Sequence, residues 1–304
     1  MKKFIFIINP LSGRGKALAL RESIEKVCEK RQRDYEIIFT KAPHDATTIA
    51  KSYRRDDVVL FSVGGDGTLN EVINGVADGV LKARSQVSVI PGGSGNDFYK
   101  TLKLRDEEEF LCDVGKINDR YFINVASVGL DSEIGENAIL MKRYKWLPKS
   151  QIYTASVFYT LAKAQDHNYK IKIDKSDEMR GKKTMITIAN GRYYGGKYMI
   201  APNAELDDGR FDVYVVQEMP IISKLGLLLK LIRNKHEDSS KVRLYKTKRL
   251  TIESDNIITA GIDGESFQDK KFKIEIYPQL INFYNNQKLV DEILNYEKTK
   301  VKKR

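Results

Sequence analysis

The sequence predicts a chain in two parts: an α/β N-terminal domain on a parallel sheet, then a β-rich C-terminal domain built as an antiparallel sandwich. Three observations predict it. Short apolar runs alternate with helical periodicities up to about residue 113, and such alternation builds a parallel sheet with crossover helices. Beyond that point strand-like runs follow one another with few helices between them, the pattern of a sandwich. The length of 304 residues suits two domains of roughly 150 residues each. The expected domains are residues 1–115 and 116–286, with no low-complexity linker between them.

The first domain reads in order. Phe4 to Ile8 is a buried strand, and Asn9-Pro10-Leu11-Ser12-Gly13 is its turn. A helix runs from about Lys16 to Lys30, with Leu20, Ile24, Val27 and Cys28 on one face. Tyr35 to Phe39 is the second strand, ending at Thr40, and Asp45 caps a helix over Ala46 to Arg54. Val58 to Val63 is the third strand, stopped by Gly64 and Gly65. Leu69, Val72, Ile73 and Val76 then recur at helical spacing, with Thr68 and Glu71 as a capping box. Val87 to Ile90 is the fourth strand, and Pro91 to Asp97 its loop. Each of these turns lies at the carboxyl end of a strand, where open parallel sheets bind ligands.

In the second part, strands are expected at Arg120 to Val128, Tyr169 to Ile173, Thr184 to Ala189 and Arg210 to Val216. Three more follow at Arg249 to Ile252, Ile257 to Ile262 and Lys271 to Tyr277. Helices are expected at Ile152 to Gln165, Ile221 to Arg233 and Val290 to Lys298. The Ile221 helix is apolar around much of its circumference, which favours burial between layers over a lipid-facing role. Ile139 to Lys149 mixes the single Trp with aromatic, apolar and basic residues, as membrane-interface segments do.

The net charge of +11 fits an anionic membrane surface, nucleic acid or polyphosphate as partner. The densest basic run, Lys298 to Arg304, reads as a solvated tail. Two cysteines, Cys28 and Cys112, exclude a disulfide framework, and three scattered histidines form no metal-ligand spacing. The apolar run after Met1-Lys2-Lys3 is too short for a signal peptide, and no window approaches the ~20 apolar residues of a membrane span.

The chemistry centres on Gly64 to Asn70. A strand, a glycine turn and a helix aim backbone N–H groups and a positive helix end at one point, where an anion sits. The glycines permit φ > 0 and close approach to a ligand. Asp66 beside an anion site asks for a cation between them, and together these suggest a nucleoside triphosphate with Mg²⁺. No Lys-Ser/Thr pair follows, so this is not the Walker pattern, nor is it GxGxxG. By itself the stretch also reads as a surface turn of an ordinary βα unit.

Gly64-Gly65-Asp66-Gly67-Thr68 matches the nucleotide-binding signature of the superfamily holding diacylglycerol, sphingosine and NAD kinases and phosphofructokinases. Pro91-Gly92-Gly93-Ser94-Gly95-Asn96-Asp97-Phe98 is similar to the second signature of its lipid-kinase branch. With further motifs in order from Asn9 to Glu265, the chain resembles the bacterial soluble, YegS-like diacylglycerol kinases. That resemblance implies a Rossmann-like first domain of the phosphofructokinase and NAD-kinase type, onto which a C-terminal helix at about residues 287–304 folds back. It implies ATP and Mg²⁺ as cofactors and a lipid hydroxyl, most directly that of diacylglycerol, as acceptor. The nucleotide set is then Asn9, Pro10, Leu11, Ser12, Gly13, Thr40, Gly64, Gly65, Asp66, Gly67, Thr68, Leu69, Asn70 and Ser94. The family usually has Thr where Ser94 stands, and Gly65 makes the loop looser than its usual pattern. Residues matching Asp66, Asp97 and Asp113 form a network around catalytic Mg²⁺, and Glu265 of Asp263-Gly264-Glu265 matches the catalytic base. Alone, that tripeptide is a hairpin turn and Asp113 a turn aspartate. Pro202 to Phe211 resembles a structural Mg²⁺ segment, with the Asp208 carboxylate and the carbonyls of Glu205 and Arg210 as ligands.

The expected protein is cytoplasmic and peripherally membrane-associated, with its lipid substrate at the membrane surface as partner and no nucleic acid. The oligomeric state stays open, a homodimer included. Two rivals are a small-molecule kinase of the NAD-kinase type and a non-catalytic basic lipid-binding regulator.

Overall fold

The computed structural model describes residues 2–130, 132, 137, 156, 159–160, 166–174 and 178–301. The interface stretch expected over Ile139 to Lys149 lies outside these residues, as does most of the helix expected over Ile152 to Gln165.

Strands β1 (Lys3–Ile8), β2 (Tyr35–Phe39), β3 (Val58–Gly64) and β4 (Gln86–Pro91) pair in parallel in the order β4-β3-β1-β2. Helices α1 (Lys16–Lys30), α2 (Asp45–Ser52) and α3 (Asp66–Ala77) connect them. Strands covered on both faces read as near-continuous apolar runs, and every residue of β3 is buried, Ser62 being its one polar side chain. Phe6 and Phe61 stack in this core at 4.6 Å between ring centroids.

Two helix starts differ from expectation. Asp45 Oδ2 accepts from the N–H groups of Lys41 and Ala42, so it closes the preceding turn and does not cap α2. Helix α3 starts at Asp66, with Gly65 at its N-cap position and no side-chain cap. Thr68 Oγ1 instead accepts from Asn9 Nδ2, and Glu71 Oε2 accepts from Ala46 N. The expected capping box is therefore absent.

Helix α4 (Asp97–Leu102) and β5 (Glu109–Ile117) follow. The strand expected over Arg120 to Val128 is two, β6 (Arg120–Phe122) and β7 (Val125–Gly129). The N–H groups of Ile123, Asn124 and Val125 turn to the Asp263 carboxylate there, which interrupts the ladder. Then come β8 (His167–Ile173), β9 (Met179–Ala189), β10 (Tyr193–Tyr194), β11 (Tyr198–Met199) and β12 (Phe211–Gln217). Helix α5 (Ile221–Ile232), β13 (Val242–Thr247), β14 (Arg249–Ile262), β15 (Glu265–Tyr284) and α6 (Gln287–Val301) complete the order.

The parallel and antiparallel parts are not separate sheets. Among the described residues, 13 strands share one hydrogen-bonded sheet. β15 is the continuous piece: it pairs antiparallel with β14 near its start and parallel with β4 at Asn282 and Phe283. One apolar core surrounds the parallel strands, and a second, around Phe122, Phe211 and Phe272, fills the β-rich part. Helix α6 returns to α1, placing Leu289, Val290 and Ile293 in the first core and Glu292 against Lys30 and Arg31. Its helical run includes Lys298 to Val301, part of the stretch expected to be a tail.

Candidate active site

At the carboxyl ends of β1, β3 and β4, three glycine turns press against one another without side chains between them. Gly92 and Gly93 donate their N–H groups to Gly64 O at 2.8 and 2.9 Å. A Cβ on Gly93 would collide with Gly65 Cα, and one on Gly13 with Gly92 O. A Cβ on Gly92 would stand 2.7 Å from that of Ala17. Close approach is thus what these glycines supply. Only Gly13 among them has positive φ, at 59°. Gly64, Gly65 and Gly67 do not, so the expected left-handed turn and loose loop are replaced by a tight junction.

Asn9 locks two of the turns: its Oδ1 accepts from Leu11 N at 3.1 Å and its Nδ2 donates to Thr68 Oγ1 at 3.2 Å. Asn96 closes the third in left-handed backbone (φ 52°), accepting from Gly93 N and donating to Gly93 O. The uncapped first turn of α3 opens onto this junction, so its N–H groups and positive end are available to an anion. Ser12 lies against Gly65, Thr40 N donates to Ile8 O at the neighbouring strand end, and Ser94 is exposed. Pro10 is half-buried and Leu11 exposed.

Two residues of the expected nucleotide set do not face the junction. Leu69 donates its N–H to Gly65 O and buries its side chain in the first core. Asn70 turns away to Asp263 and Tyr121.

Asp66 and Asp97 meet across Gly95. A Cβ on that glycine would lie 3.0 Å from Asp66 Oδ2 and 3.7 Å from Asp97 Oδ2. Burial pushes the Asp66 carboxyl up from its ordinary value, and the Asp97 charge adds to it. Such a pair fits a divalent cation, which relieves both effects. Asp97 accepts three hydrogen bonds from two donors. Gly196 N donates to both its oxygens, at 3.1 and 2.9 Å, and Lys100 Nζ donates to Oδ1 at 2.8 Å. Lys100 also donates to Gly95 O and Gly196 O, tying α4 to the turn between β10 and β11. Asn96, Lys100 and Gly196 were missed from sequence. The Gly195-Gly196 pair signals a hairpin turn, but nothing in its neighbours says which carboxylate it meets.

Asp113 is elsewhere. It is fully buried on β5, and its two oxygens accept from Gly209 N at 2.6 Å and Gln279 N at 2.7 Å. Those bonds anchor the 202–211 segment to the sheet and bring Asp113 into no hydrogen bond with Asp66 or Asp97. In the same segment, Asp208 accepts from Arg210 N at 2.9 Å and pairs with Lys246 at 3.0 Å. Lys246 also lies 3.7 Å from the buried Asp212. Glu205 is exposed, and the described residues hold no cluster of three acidic, His or Cys side chains. The ammonium of Lys246 thus stands beside the Asp208 carboxylate, where the resemblance expects a structural Mg²⁺.

Asp263 and Gly264 form the two-residue turn between β14 and β15, both at positive φ (45° and 95°). The Asp263 carboxylate is buried and accepts from Ile123 N, Asn124 N, Val125 N and Asn70 Nδ2 at 2.8 to 3.1 Å. Burial pushes its pKa up to about 6 against those four donors. Glu265, two residues on, is half-buried, and among the described residues no donor engages its carboxylate. An anion cradle, a carboxylate pair for a cation and a free carboxylate on the turn tied to the cradle helix by Asn70 are the parts of a phosphotransferase.

Comparison with known proteins gives the family. Residues 3–125 match the diacylglycerol kinase catalytic domain, and residues 124–285 match the YegS C-terminal NAD kinase beta sandwich-like domain. The chain belongs to this diacylglycerol kinase family of lipid kinases. It is 29% identical to a diacylglycerol kinase of Staphylococcus saprophyticus, over 96% of this chain and 99% of that protein. It is 30% identical to a diacylglycerol kinase of Staphylococcus haemolyticus, over 85% of this chain and 81% of that protein. The crystal structure of a diacylglycerol kinase from Bacillus anthracis shares the fold. Its TM-score is 0.70 at 24% identity, over 95% of this chain and 98% of that one.

Proposed function

We propose that this phosphotransferase moves the γ-phosphoryl group of ATP to the free hydroxyl of diacylglycerol at a membrane surface, yielding phosphatidic acid and ADP. The observation that carries this reading is the placement of Glu265. Asn70 stands one turn along the helix that begins at Asp66, and it donates to Asp263 Oδ2 at 3.0 Å. Four residues of α-helix rise about 6 Å, and Glu265 follows Asp263 by two residues. This tie supports the reading that the unengaged Glu265 carboxylate faces the anion cradle.

In this reading the uncapped first turn of α3, Gly65 to Thr68, holds the triphosphate through its backbone N–H groups, and the turns at Asn9 to Gly13 and Gly92 to Ser94 shape the cradle around it. Thr40 and Ser94 add hydroxyls. Asp66 and Asp97 would hold Mg²⁺, which when bound neutralises phosphate charge as the transfer proceeds. Glu265 accepts the proton of the acceptor hydroxyl while that oxygen bonds to the γ-phosphorus and the bond to the β-phosphate oxygen breaks. Lys100 and Gly196 keep Asp97 in place. No helix among the described residues is long and apolar enough to cross a membrane. A test is ATP-dependent phosphorylation of a lipid panel in mixed micelles, with NAD as the competing acceptor. Turnover on diacylglycerol is expected; turnover on NAD alone would replace the reading.

A further inference from the structure

Helix α5 is apolar on its outer side as well as its inner one, where Leu231 packs against a small core around Ile200 and Tyr214. Its one buried side chain is a lysine: Lys224 points inward and pairs with Asp166 at 2.9 Å, the two side chains being 4% and 12% exposed. Asp166 is itself fixed by Thr184 Oγ1. The opposite face is aliphatic and open to solvent. Ile222, Leu225, Leu229 and Ile232 follow one another at spacings of three, four and three residues, which places them in one stripe. Ile222 is 82% exposed, Leu229 55% and Ile232 54%. A helix that met only water would show the reverse arrangement. The expected burial of this helix between layers is therefore overturned.

Three further observations say what covers the stripe. Its rim is cationic: Lys230, Arg233 and Lys235 are exposed at the helix end, and the helix itself carries no acidic residue. Two neighbouring carboxylates are paired with lysines away from this rim, Asp166 with Lys224 and Glu218 with Lys182. The helix also lies against β11, and the turn joining β11 to β10 donates to Asp97. At 12 residues it spans about 18 Å, too short to cross a bilayer and suited to lying in its surface.

We propose that α5 docks the protein onto an anionic phospholipid bilayer, its aliphatic stripe entering the acyl boundary and its cations meeting the headgroups. This presents lipid one hairpin away from the Asp66 and Asp97 pair. The proposal rests on the lipid-kinase reading for its purpose, but its binding can be measured apart from turnover.

The test compares wild type with the triple variant Ile222→Gln, Leu229→Gln and Ile232→Gln by sedimentation with phosphatidylglycerol–phosphatidylcholine vesicles. The triple variant is expected to bind at least about tenfold more weakly. Its turnover on vesicle-borne diacylglycerol should fall in step, while turnover on monomeric short-chain diacylglycerol stays unchanged. Lys230→Gln with Arg233→Gln and Lys235→Gln should abolish the preference for anionic vesicles and the salt sensitivity of binding. Because Cys28 and Cys112 are buried, an environment-sensitive dye on Leu229→Cys reports the site alone, and its emission should shift to the blue with anionic vesicles. Wild-type vesicle binding by the triple variant would overturn the proposal. So would an equal loss on monomeric and vesicle-borne substrate, or a wild-type dimer that the triple variant dissolves. Absence of turnover on every lipid would instead reject the kinase reading and leave the vesicle arm to decide α5.

Discussion

Asn70 Nδ2 donates to Asp263 Oδ2 at 3.0 Å, across 193 residues of sequence, and joins the helix of the anion cradle to the turn that carries Glu265. The same amide donates to Tyr121 O at 2.9 Å. Asn70→Ala leaves Ile123 N on that carboxylate oxygen but frees the turn from α3. A buried donor lost this way costs about 1–3 kcal/mol. The expected outcome is a lower melting temperature and a fall in kcat, with KM for ATP little changed. Steady-state kinetics on ATP and lipid check it; an unchanged kcat would mean that the tie does not position the base.

Gly93→Ala tests the glycine junction. Its Cβ would collide with Gly65 Cα, a backbone atom that cannot swing aside. The two turns must part, and the cradle N–H groups lose their convergence. KM for ATP should rise at least about tenfold, a loss of ~1.4 kcal/mol or more, with KM for lipid unaffected. Isothermal titration with ATP measures it directly.

The Asp66 and Asp97 pair sets an acid limit. Asp66 is raised first by burial and then by the charge of Asp97, so it protonates sooner on acidification than a free aspartate. Asp97→Asn removes the second cause. The acid limb of the pH profile for kcat/KM should then move to lower pH even though total activity falls. A limb that stays in place would assign it to another group.

Asp263 makes a separate contribution to stability. Its pKa is raised from 3.8 to about 6 in the folded chain, so the folded state holds the proton more tightly than the unfolded state. The associated stability is complete below the unfolded value and is lost as pH rises through about 6. Denaturant unfolding of wild type should show this decline between roughly pH 4 and 6, and Asp263→Asn should lack it. The variant should also be less stable at every pH, because its amide sets an N–H donor against N–H donors.

Much of this was legible in the sequence because it is local. The strands β1 to β4 are short, mostly apolar runs, the Leu69 to Val76 periodicity marks α3, and Asp-Gly marks the hairpin before Glu265. What was not legible depends on partners far along the chain. Asp113 reads as a turn residue, yet it lies mid-strand because Gly209 and Gln279 supply its donors. The break between β6 and β7 has no breaker residue of its own; Asp263, about 140 residues later, creates it. Thr68 and Glu71 have the spacing of a capping box, but Asn9 and Ala46 compete for them and win. Helix α4 is only six residues long and begins after a left-handed Asn96, so periodicity had too little to show.

The most direct test of the account is the turnover of Glu265→Gln on diacylglycerol, measured by ATP-dependent phosphatidic acid formation in mixed micelles alongside ATP binding. In the proposed reaction Glu265 takes the acceptor proton, so kcat should fall about 10²–10⁴-fold while ATP affinity and melting temperature hold. Near-normal turnover by Glu265→Gln would contradict the assignment of the base and, with it, the role given to the turn that Asn70 holds.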